Sequence, residues 1–303
     1  MPDATTHGTA RLNRIRTEPA AMQETVSRSA PLDQADGLRR LFAHTRVCMV
    51  PVVSNPNVAF GGVMLERLCT AFAEHGKHTL VVDASERASE PLEMAAIDLS
   101  VCIEKLSPQV SYLAARGLPL RHVNAAGSTA SFLHAAIQAA PGCDVLLVHA
   151  SASDLCRLFM RTDGANPVRP LLLADDRPAS VTHAFAAMKL LTQRAGLVVH
   201  DLLLGAAAHS PRSERIAMQL ATCADDFLGA VLRDWVQIDP ATDAREAPTA
   251  ELRRLVREQL KSALGDSPLA EATPPAAARL QSRPTHAVRA KGRSTSAPAR
   301  AAH

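Results

Sequence analysis

The sequence is poor in aromatic residues, which make up 3% of its 303 residues and include one Trp and one Tyr. It also lacks a long apolar run, because the longest, residues 196–208, is interrupted by His200 and Asp201. A membrane-spanning helix needs about 20 consecutive apolar residues. The six cysteines show no paired spacing, and the chain opens without a signal-peptide pattern. These absences argue against membrane-spanning and disulfide-stabilised classes and predict a reduced, cytoplasmic protein with a core of Ala, Val and Leu.

The net charge of +3 is unevenly distributed along the chain. Residues 265–303 contain six basic and two acidic residues, a balance of +4, so the remainder is close to neutral. We therefore expect no nucleic-acid groove in the folded part. Residues 1–30 and the Pro-, Ala-, Ser- and Arg-rich residues 265–303 are predicted to be disordered tails. The cations of the second tail predict weak, salt-sensitive attraction to a membrane surface or to nucleic acid.

The hydrophobic pattern predicts strands and helices that alternate along the chain. Strands are predicted at residues 46–53, 78–83, 118–123, 144–149, 170–174, 197–203, 227–232 and 235–239, and helices at 32–44, 60–75, 129–139, 179–194, 212–223 and 251–264. Such alternation, with strands that are apolar throughout, predicts an α/β fold with a doubly wound, mostly parallel sheet and helices on both faces. We place this α/β domain at residues 46–264, after a helix in residues 31–45.

The loop after the first strand lies between a strand and a helix, as a phosphate-binding loop does, but it lacks the residues of the P-loop motif. It reads S-N-P-N-V-A-F-G-G-V over residues 54–63, between a buried strand and a helix. A P-loop of the form G-x-x-x-x-G-K-[ST] occupies this position in many nucleotide-binding proteins. It points backbone N–H groups, a Lys and a magnesium ion at the phosphates. Here Pro56 removes an N–H group, and Phe60 places a ring where glycine lets the backbone approach.

Separate segments resemble the FlhG/FleN branch of the MinD/ParA ATPases, which regulate the number and placement of bacterial flagella. Residues 33–40 (D-Q-A-D-G-L-R-R) resemble the D-Q-A-x-x-L-R helix of that branch, and residues 54–83 align with its P-loop unit without a gap. Residues 177–189 (RPASVTHAFAAMK) and 223–232 (CADDFLGAVL) are similar to its P-T-S-I-T-D-A-Y-A-L-I-K segment and F-L-G strand. The resemblance spans residues 32–264 and implies a P-loop NTPase-like, MinD/ParA-like fold.

The resemblance also implies a remnant of a nucleotide pocket. Its residues would be Ser54, Gly61, Gly62, Asp83, His149 and His200. The loop lysines of the family correspond to Pro56 and Gly61, its magnesium-binding hydroxyl to Gly62, its magnesium aspartate to His149 and its adenine-reading Asn to His200. Because these parts differ together, we expect that ATP and magnesium no longer bind, and we predict no catalytic residue and no metal ligand. Asp83 is expected to be an inert relic, and His149 and His200 to approach one another.

The helix at residues 33–40 implies a protein partner. The residues that would form the contact are Asp33, Gln34, Ala35, Leu38, Arg39 and Arg40. In the family this helix stimulates the signal-recognition-type GTPase FlhF, so FlhF and other flagellar assembly or regulatory proteins are the implied partners. A homodimer is implied as well. The alternative is a surface helix that only covers the edge of the sheet.

Other interpretations stay open at this point. We favour a non-catalytic flagellar regulator. The alternatives are a working ATPase whose nonstandard loop still binds ATP and magnesium, and a scaffold for another polar assembly. In the ATPase, Asp83 would orient water, and Gly61 and Gly62 would cradle phosphate. The helix at residues 251–264 is apolar on one side and basic on the other. It either packs on the core, which we favour, or lies on the inner membrane, as at a cell pole.

Overall fold

The structure is a computed structural model that describes residues 47–160 and 168–264. The predicted docking helix and the two predicted tails lie outside the described residues. The boundaries predicted for those segments therefore stay predictions.

Strands and helices alternate along most of the described chain. In chain order they are β1 (Cys48–Val53), α1 (Gly61–Glu74), β2 (Thr79–Asp83), β3 (Glu104–Ser107), β4 (Val110–Ala114), α2 (Ser131–Ala139), β5 (Val145–Ala150), α3 (Ala152–Leu158), β6 (Leu171–Asp175), α4 (Pro178–Ala195), β7 (Val199–Gly205), α5 (Pro211–Leu228), β8 (Val231–Ile238) and α6 (Ala250–Leu264). Short 3₁₀ helices lie at Glu93–Ala96, Ser100–Cys102 and Leu118–His122.

The eight strands form one sheet in the order β3-β4-β2-β5-β1-β6-β7-β8. Neighbouring strands are parallel, except that β3 runs antiparallel to β4. β1 lies between β5 and β6, with Val53 opposite both Ala150 and Leu172. The predicted doubly wound, mostly parallel sheet is therefore confirmed. Its parallel strands end at a common carboxyl edge, where the β1–α1 loop also lies.

The core has two layers, one on each face of the sheet. Alternate residues of β5 divide between them: Leu146 and Val148 join one cluster, and Val145 and Leu147 the other. The first cluster includes residues of α2, α3, α4 and α5, and the second includes residues of α1 and α6. Burying each such side chain contributes about 1.5–3 kcal/mol, which holds the helices on both faces.

The last helix, α6, packs on the core. Leu252, Leu255 and Val256 are buried in the layer that also contains α1. On its polar side Arg253 forms an ion pair with Glu74 at 2.7 Å, and Arg254 forms one with Asp234 at 2.8 Å. Core packing is therefore confirmed for this helix, because its apolar side is covered. None of the helices that the structure describes combines the length and apolarity of a membrane span.

Some predicted strands are wrong. Residues 118–122 form a 3₁₀ helix, since Gly117 takes a left-handed φ of 73° and Pro119 occupies the first turn. The strand predicted at residues 227–232 is mostly helix end and turn, because α5 continues to Leu228 and ends at Gly229, which has a φ of 59°. The strand that follows is a single one, β8. The hairpin of β3 and β4 and the short helix α3 were not predicted.

All six cysteines are free thiols. Five of them are buried, and Cys223 on α5 is half-buried. Burial raises the pKa of the Cys48 and Cys69 thiols to about 12. These thiols are therefore protonated at neutral pH and unreactive.

Candidate functional site

A cavity of about 450 Å³ lies at the carboxyl edge of the sheet, beside the β1–α1 loop. In open α/β sheets this edge is where ligands bind. The structure brings five of the six predicted pocket residues to its wall: Ser54, Gly61, Gly62, Asp83 and His149. Apolar side chains of α1 and α4, among them Leu65 and Leu190, complete the lining.

His200 does not belong to this cavity. It is the second residue of β7 and fully buried, with Nε2 at 3.2 Å from Thr192 Oγ1. Burial lowers the pKa of His200 to about 4, against a smaller opposing effect of a hydrogen bond with the Leu197 backbone. The predicted approach to His149 is wrong because β7 begins, rather than ends, near His200. Residues 196–208 are mostly apolar, so the sequence did not show where β7 begins and ends.

Asp83 and His149 are joined by a hydrogen bond in the wall of the cavity. They lie opposite one another on β2 and β5, with Asp83 Oδ1 at 3.0 Å from His149 Nδ1. Burial, the largest single influence, would raise the pKa of Asp83, but contacts with His149 and Ser85 together lower it. Asp83 is therefore not an isolated carboxylate, whereas its catalytic inertness stays a prediction. It fixes the imidazole through Nδ1 and leaves Nε2 as the ring nitrogen for any further contact.

The β1–α1 loop is tied down by a buried amide. Asn55 Nδ2 donates to the carbonyl oxygens of Leu173 at 2.8 Å and Ser180 at 3.0 Å, and it lies 3.2 Å from Ser180 Oγ. These contacts join the loop to β6 and to the first turn of α4. Because Asn55 is buried, its amide fixes the loop in one position.

Four N–H groups of this loop, those of Ser54, Asn57, Val58 and Ala59, bond within the protein. The donors and acceptors are Ser54 N to Ala150 O at 2.8 Å, Asn57 N to Asn55 Oδ1 at 3.0 Å, Val58 N to Asn55 O at 3.1 Å and Ala59 N to Asp175 Oδ2 at 3.3 Å. Pro56 has no N–H group to donate. Four loop donors therefore already have protein acceptors, one of which is a carboxylate.

The carboxylate that accepts the N–H of Ala59 belongs to Asp175, the last residue of β6. Arg177 forms an ion pair with it at 2.7 Å and also donates to the carbonyl of Asn57. Burial, the largest influence, would raise the pKa of Asp175, but the hydrogen bonds from Arg177 and Ala59 lower it overall. A second cation, Arg87, donates to the carbonyl of Pro56 at 2.6 Å. Both guanidinium groups thus bind loop carbonyls.

Gly61 and Gly62 are the first two residues of α1, and packing does not require glycine at either position. A Cβ atom at Gly61 would lie 3.9 Å from Val58 Cγ1, and one at Gly62 would meet no atom within 4 Å. Neither residue has a positive φ. Side chains could therefore be added here without displacing the backbone.

Asn55, Asp175 and Arg177 were not predicted as site residues. Their contacts cross 116 to 125 positions of the chain, which local patterns cannot show. The turn residues Asn55 and Pro56 after a strand, and Arg177 before a helix, were the available signals. Helix α3 had a clearer one, since Ser151 caps it by accepting the N–H of Asp154 at 3.2 Å.

Several solved structures share the fold. Cobyrinic acid a,c-diamide synthase from Mycobacterium smegmatis, with bound ATP analog and magnesium, has a TM-score of 0.51 and 13% identity, and the match covers 71% of this chain and 94% of that one. MinD from Aquifex aeolicus gives 0.45 and 14%, covering 72% and 97%. A ParA family ATPase from Chlorobium tepidum TLS gives 0.44 and 13%, covering 72% and 98%. No family model matches the sequence, and no curated protein matches it.

The predicted fold class is confirmed. The chain has an α/β fold with a mostly parallel eight-stranded sheet, similar to that of the cobyrinic acid a,c-diamide synthase. At identities of 13% to 14% the likeness concerns the fold alone. Activity and partners have to be argued from the residues of the chain itself.

Proposed function

We propose that the protein is a non-catalytic regulator of the number or placement of bacterial flagella, which acts by binding and without ATP turnover. The observation that carries the loss of turnover is the contact between Asp175 and the N–H of Ala59. A lowered pKa keeps this carboxylate ionised at neutral pH. It occupies one of the loop donors that could bind a phosphate and adds a negative charge beside it.

The residues of the loop do not fit a magnesium–ATP complex. A phosphate oxygen that used the N–H of Asn57 or Ala59 would have to replace Asn55 Oδ1 or Asp175 Oδ2, which already bind these groups. The loop also supplies no Lys. Losing two hydrogen bonds to charged groups costs about 3–6 kcal/mol, which is about 10²- to 10⁴-fold in affinity. Arg87 and Arg177 do not compensate, because both bind carbonyl oxygens of the loop.

The flagellar part of the proposal rests on the resemblance at residues 33–40. In it, Asp33, Gln34, Ala35, Leu38, Arg39 and Arg40 contact a signal-recognition-type GTPase such as FlhF. β1 starts at Cys48, at the amino edge of the sheet, whereas the cavity lies at the carboxyl edge. The segment before β1 therefore enters the fold far from the cavity. A partner bound there would not need a nucleotide in the cavity.

Calorimetric titration with magnesium-ATP tests the loss of nucleotide binding. We expect no saturable heat at millimolar ATP, with an active ATPase of the same fold class as positive control. Stoichiometric binding, or release of phosphate above a no-protein control, would overturn this part.

A pull-down with purified FlhF tests the docking helix. Leu38→Asp combined with Arg39→Glu should lower the affinity at least about tenfold, as for a contact of two central interface residues. Arg257→Glu, a charge reversal on the exposed side of α6, should leave it unchanged. Equal capture of all three proteins would remove the helix as the contact. Flagellar counts in a deletion strain then separate this role from that of a scaffold for another polar assembly: unchanged counts would exclude flagellar control.

A further inference from the structure

Large exposed apolar side chains are concentrated in the segment between β2 and β4. They are Leu92, Met94, Ile97, Val101 and Leu106, each between 49% and 81% exposed. We call these five residues the 92–106 surface. Single exposed apolar residues are common, but a group of them along one short segment marks an interaction site.

The segment is apolar on its inner side as well. Ala95 and Cys102 are buried, and Leu99 packs against the same core cluster. The exposed residues Met94, Ile97 and Val101 recur at intervals of three and four residues. The inner residues recur at the same intervals, between them along the chain. On its outer side these exposed apolar residues stand among the exposed polar residues Glu93, Asp98 and Ser100, as in an interface with an apolar centre and a polar rim. Its outer side therefore suits a second molecule.

The surroundings of the surface are acidic. Residues 88–106 include four exposed acidic residues, Glu90, Glu93, Asp98 and Glu104, and one exposed basic residue, Lys105. Glu90 forms an ion pair with Arg116 at 2.6 Å, while Glu93 and Glu104 have no ion pair among the described residues. Two such surfaces placed face to face would repel one another. The occupant that fits is an apolar segment with basic residues.

The chain contains a segment of that chemistry immediately before β1. Residues 38–46 read L-R-R-L-F-A-H-T-R, with three arginines and no acidic residue. Leu38, Leu41 and Phe42 have the spacing of one helical face. Arg39 and Arg40 would lie beside that face, where they could meet Glu93 and Glu104.

As the predicted helix, this segment is too short to cover the surface of its own molecule. β5, β2 and β4 separate β1 from β3, so four strand spacings, about 19 Å, lie between them. The two residue steps from Arg46 to Cys48 span at most about 7 Å. If residues 38–46 form the predicted helix, it adds about 13 Å. Residues 92–101 come before β3, which runs from Glu104 toward the amino edge of the sheet, so they lie on its carboxyl side, whereas β1 starts at the amino edge. The apolar face of the predicted helix would therefore not reach them.

We propose that residues 38–46 of one copy bind the 92–106 surface of a second copy. Reciprocal exchange of the two segments closes the contact into a symmetric dimer. Residues 38–40 also belong to the proposed FlhF contact, so the dimer and the partner complex exclude one another. This competition rests on the proposed function, whereas the dimer does not.

Sedimentation equilibrium of the full chain at low and high salt tests the dimer. We expect a dimer that salt weakens, because its charged contacts are exposed. Ile97→Asp, and separately Arg39→Glu with Arg40→Glu, should each raise the dissociation constant at least about tenfold. Ile97 is 81% exposed, so its variant should fold, which circular dichroism checks. Met218→Asp, the same kind of change at an exposed residue of α5, is the matched control and should not alter the constant.

A charge exchange makes the test specific. The chain with Arg39→Glu and Arg40→Glu and the chain with Glu93→Lys and Glu104→Lys should each be monomeric, and their mixture should form a dimer again. A wild-type chain that stays monomeric, a dimer indifferent to either set of changes, or a mixture that stays monomeric would overturn the proposal. If the dimer behaves as expected and FlhF does not bind, the proposed function fails alone. If FlhF binds and no dimer forms, only the exchange fails.

Discussion

Asp83 Oδ1 lies 3.0 Å from His149 Nδ1, and the two residues are in register on neighbouring strands β2 and β5. Each side chain is mostly shielded from water, so this contact counts for more than a surface ion pair. It joins two strands at the edge where the cavity opens. The pair is therefore a structural element of the cavity wall, whatever the cavity binds.

Asp83→Asn should lower the free energy of unfolding at neutral pH by about 1.5–3 kcal/mol, since a charge-assisted hydrogen bond is lost. The lowered pKa of Asp83 means that its contribution is present above the unfolded-state pKa, about 3.9, and is lost as the pH falls through the folded-state value. The difference between variant and wild type should thus shrink in acid. Urea unfolding across this pH range measures it. Glu86→Gln, at an exposed residue of the same cavity, is the matched carboxyl-to-amide control for the substitution itself.

Asn55→Ala should destabilise the protein by about 2–4 kcal/mol. The change removes the amide that binds Leu173 and Ser180 and leaves buried acceptors without that donor. Chemical denaturation gives the value. Asn57→Ala removes only a long contact of 3.5 Å from Asn57 Nδ2 to Ala179 O and should cost less than about 0.5 kcal/mol. Similar losses in the two variants would contradict the role of Asn55 as the tether.

Arg169→Met should cost about 3–5 kcal/mol, because it leaves the buried Asp201 without its counter-charge. Arg169 Nη2 lies 3.6 Å from Asp201 Oδ2, and both side chains are almost fully buried. Burial raises the pKa of Asp201 to about 6, and Arg169 opposes that rise. Arg253→Met, which breaks the exposed pair with Glu74, should cost at most about 1 kcal/mol. Thermal and urea unfolding of both variants compare the two pairs, and equal costs would refute the distinction.

Restoring two residues of the phosphate-binding motif should not restore ATP binding. Gly61→Lys with Gly62→Thr adds the missing Lys and hydroxyl at positions with room for a side chain. The N–H of Ala59 stays bound to Asp175, and Pro56 stays without an N–H group. Calorimetry should show no saturable binding, and a phosphate-release assay no turnover. Circular dichroism confirms that the variant is folded, and micromolar binding by this variant would refute the argument from the loop.

The order of the elements could be predicted from the sequence where polarity marks their ends. β1, α1 and β2 agree with the prediction to within two residues, because the loop around Pro56 and the turn at Gly76 separate them. Residues 196–208 have no such marks, and His200 was therefore assigned to the wrong end of β7. The alternation of Leu118, Leu120 and His122 suggested a strand, while Gly117 and Pro119 favoured the 3₁₀ turn that forms.

The sequence predicted five residues that line the cavity, but not the contacts that these residues make. Ser54, Gly61, Gly62, Asp83 and His149 could be assigned to one wall because the resemblance places them in the β1–α1 loop, at the start of α1 or near the carboxyl ends of β2 and β5. The pairing of Asp83 with His149 depends on strand order, which placed β2 beside β5. The acceptor at Asp175 depends on the path of a loop. Neither is encoded in a local pattern, so both needed three-dimensional contacts.

The placement of the thiols has a practical consequence for following this protein in solution. A maleimide dye added to the unaltered chain should attach at Cys223 on α5, since the other five cysteines are buried. One fluorophore per molecule is then available without removing a cysteine. Energy transfer between differently coloured copies would report directly on how long two molecules stay together.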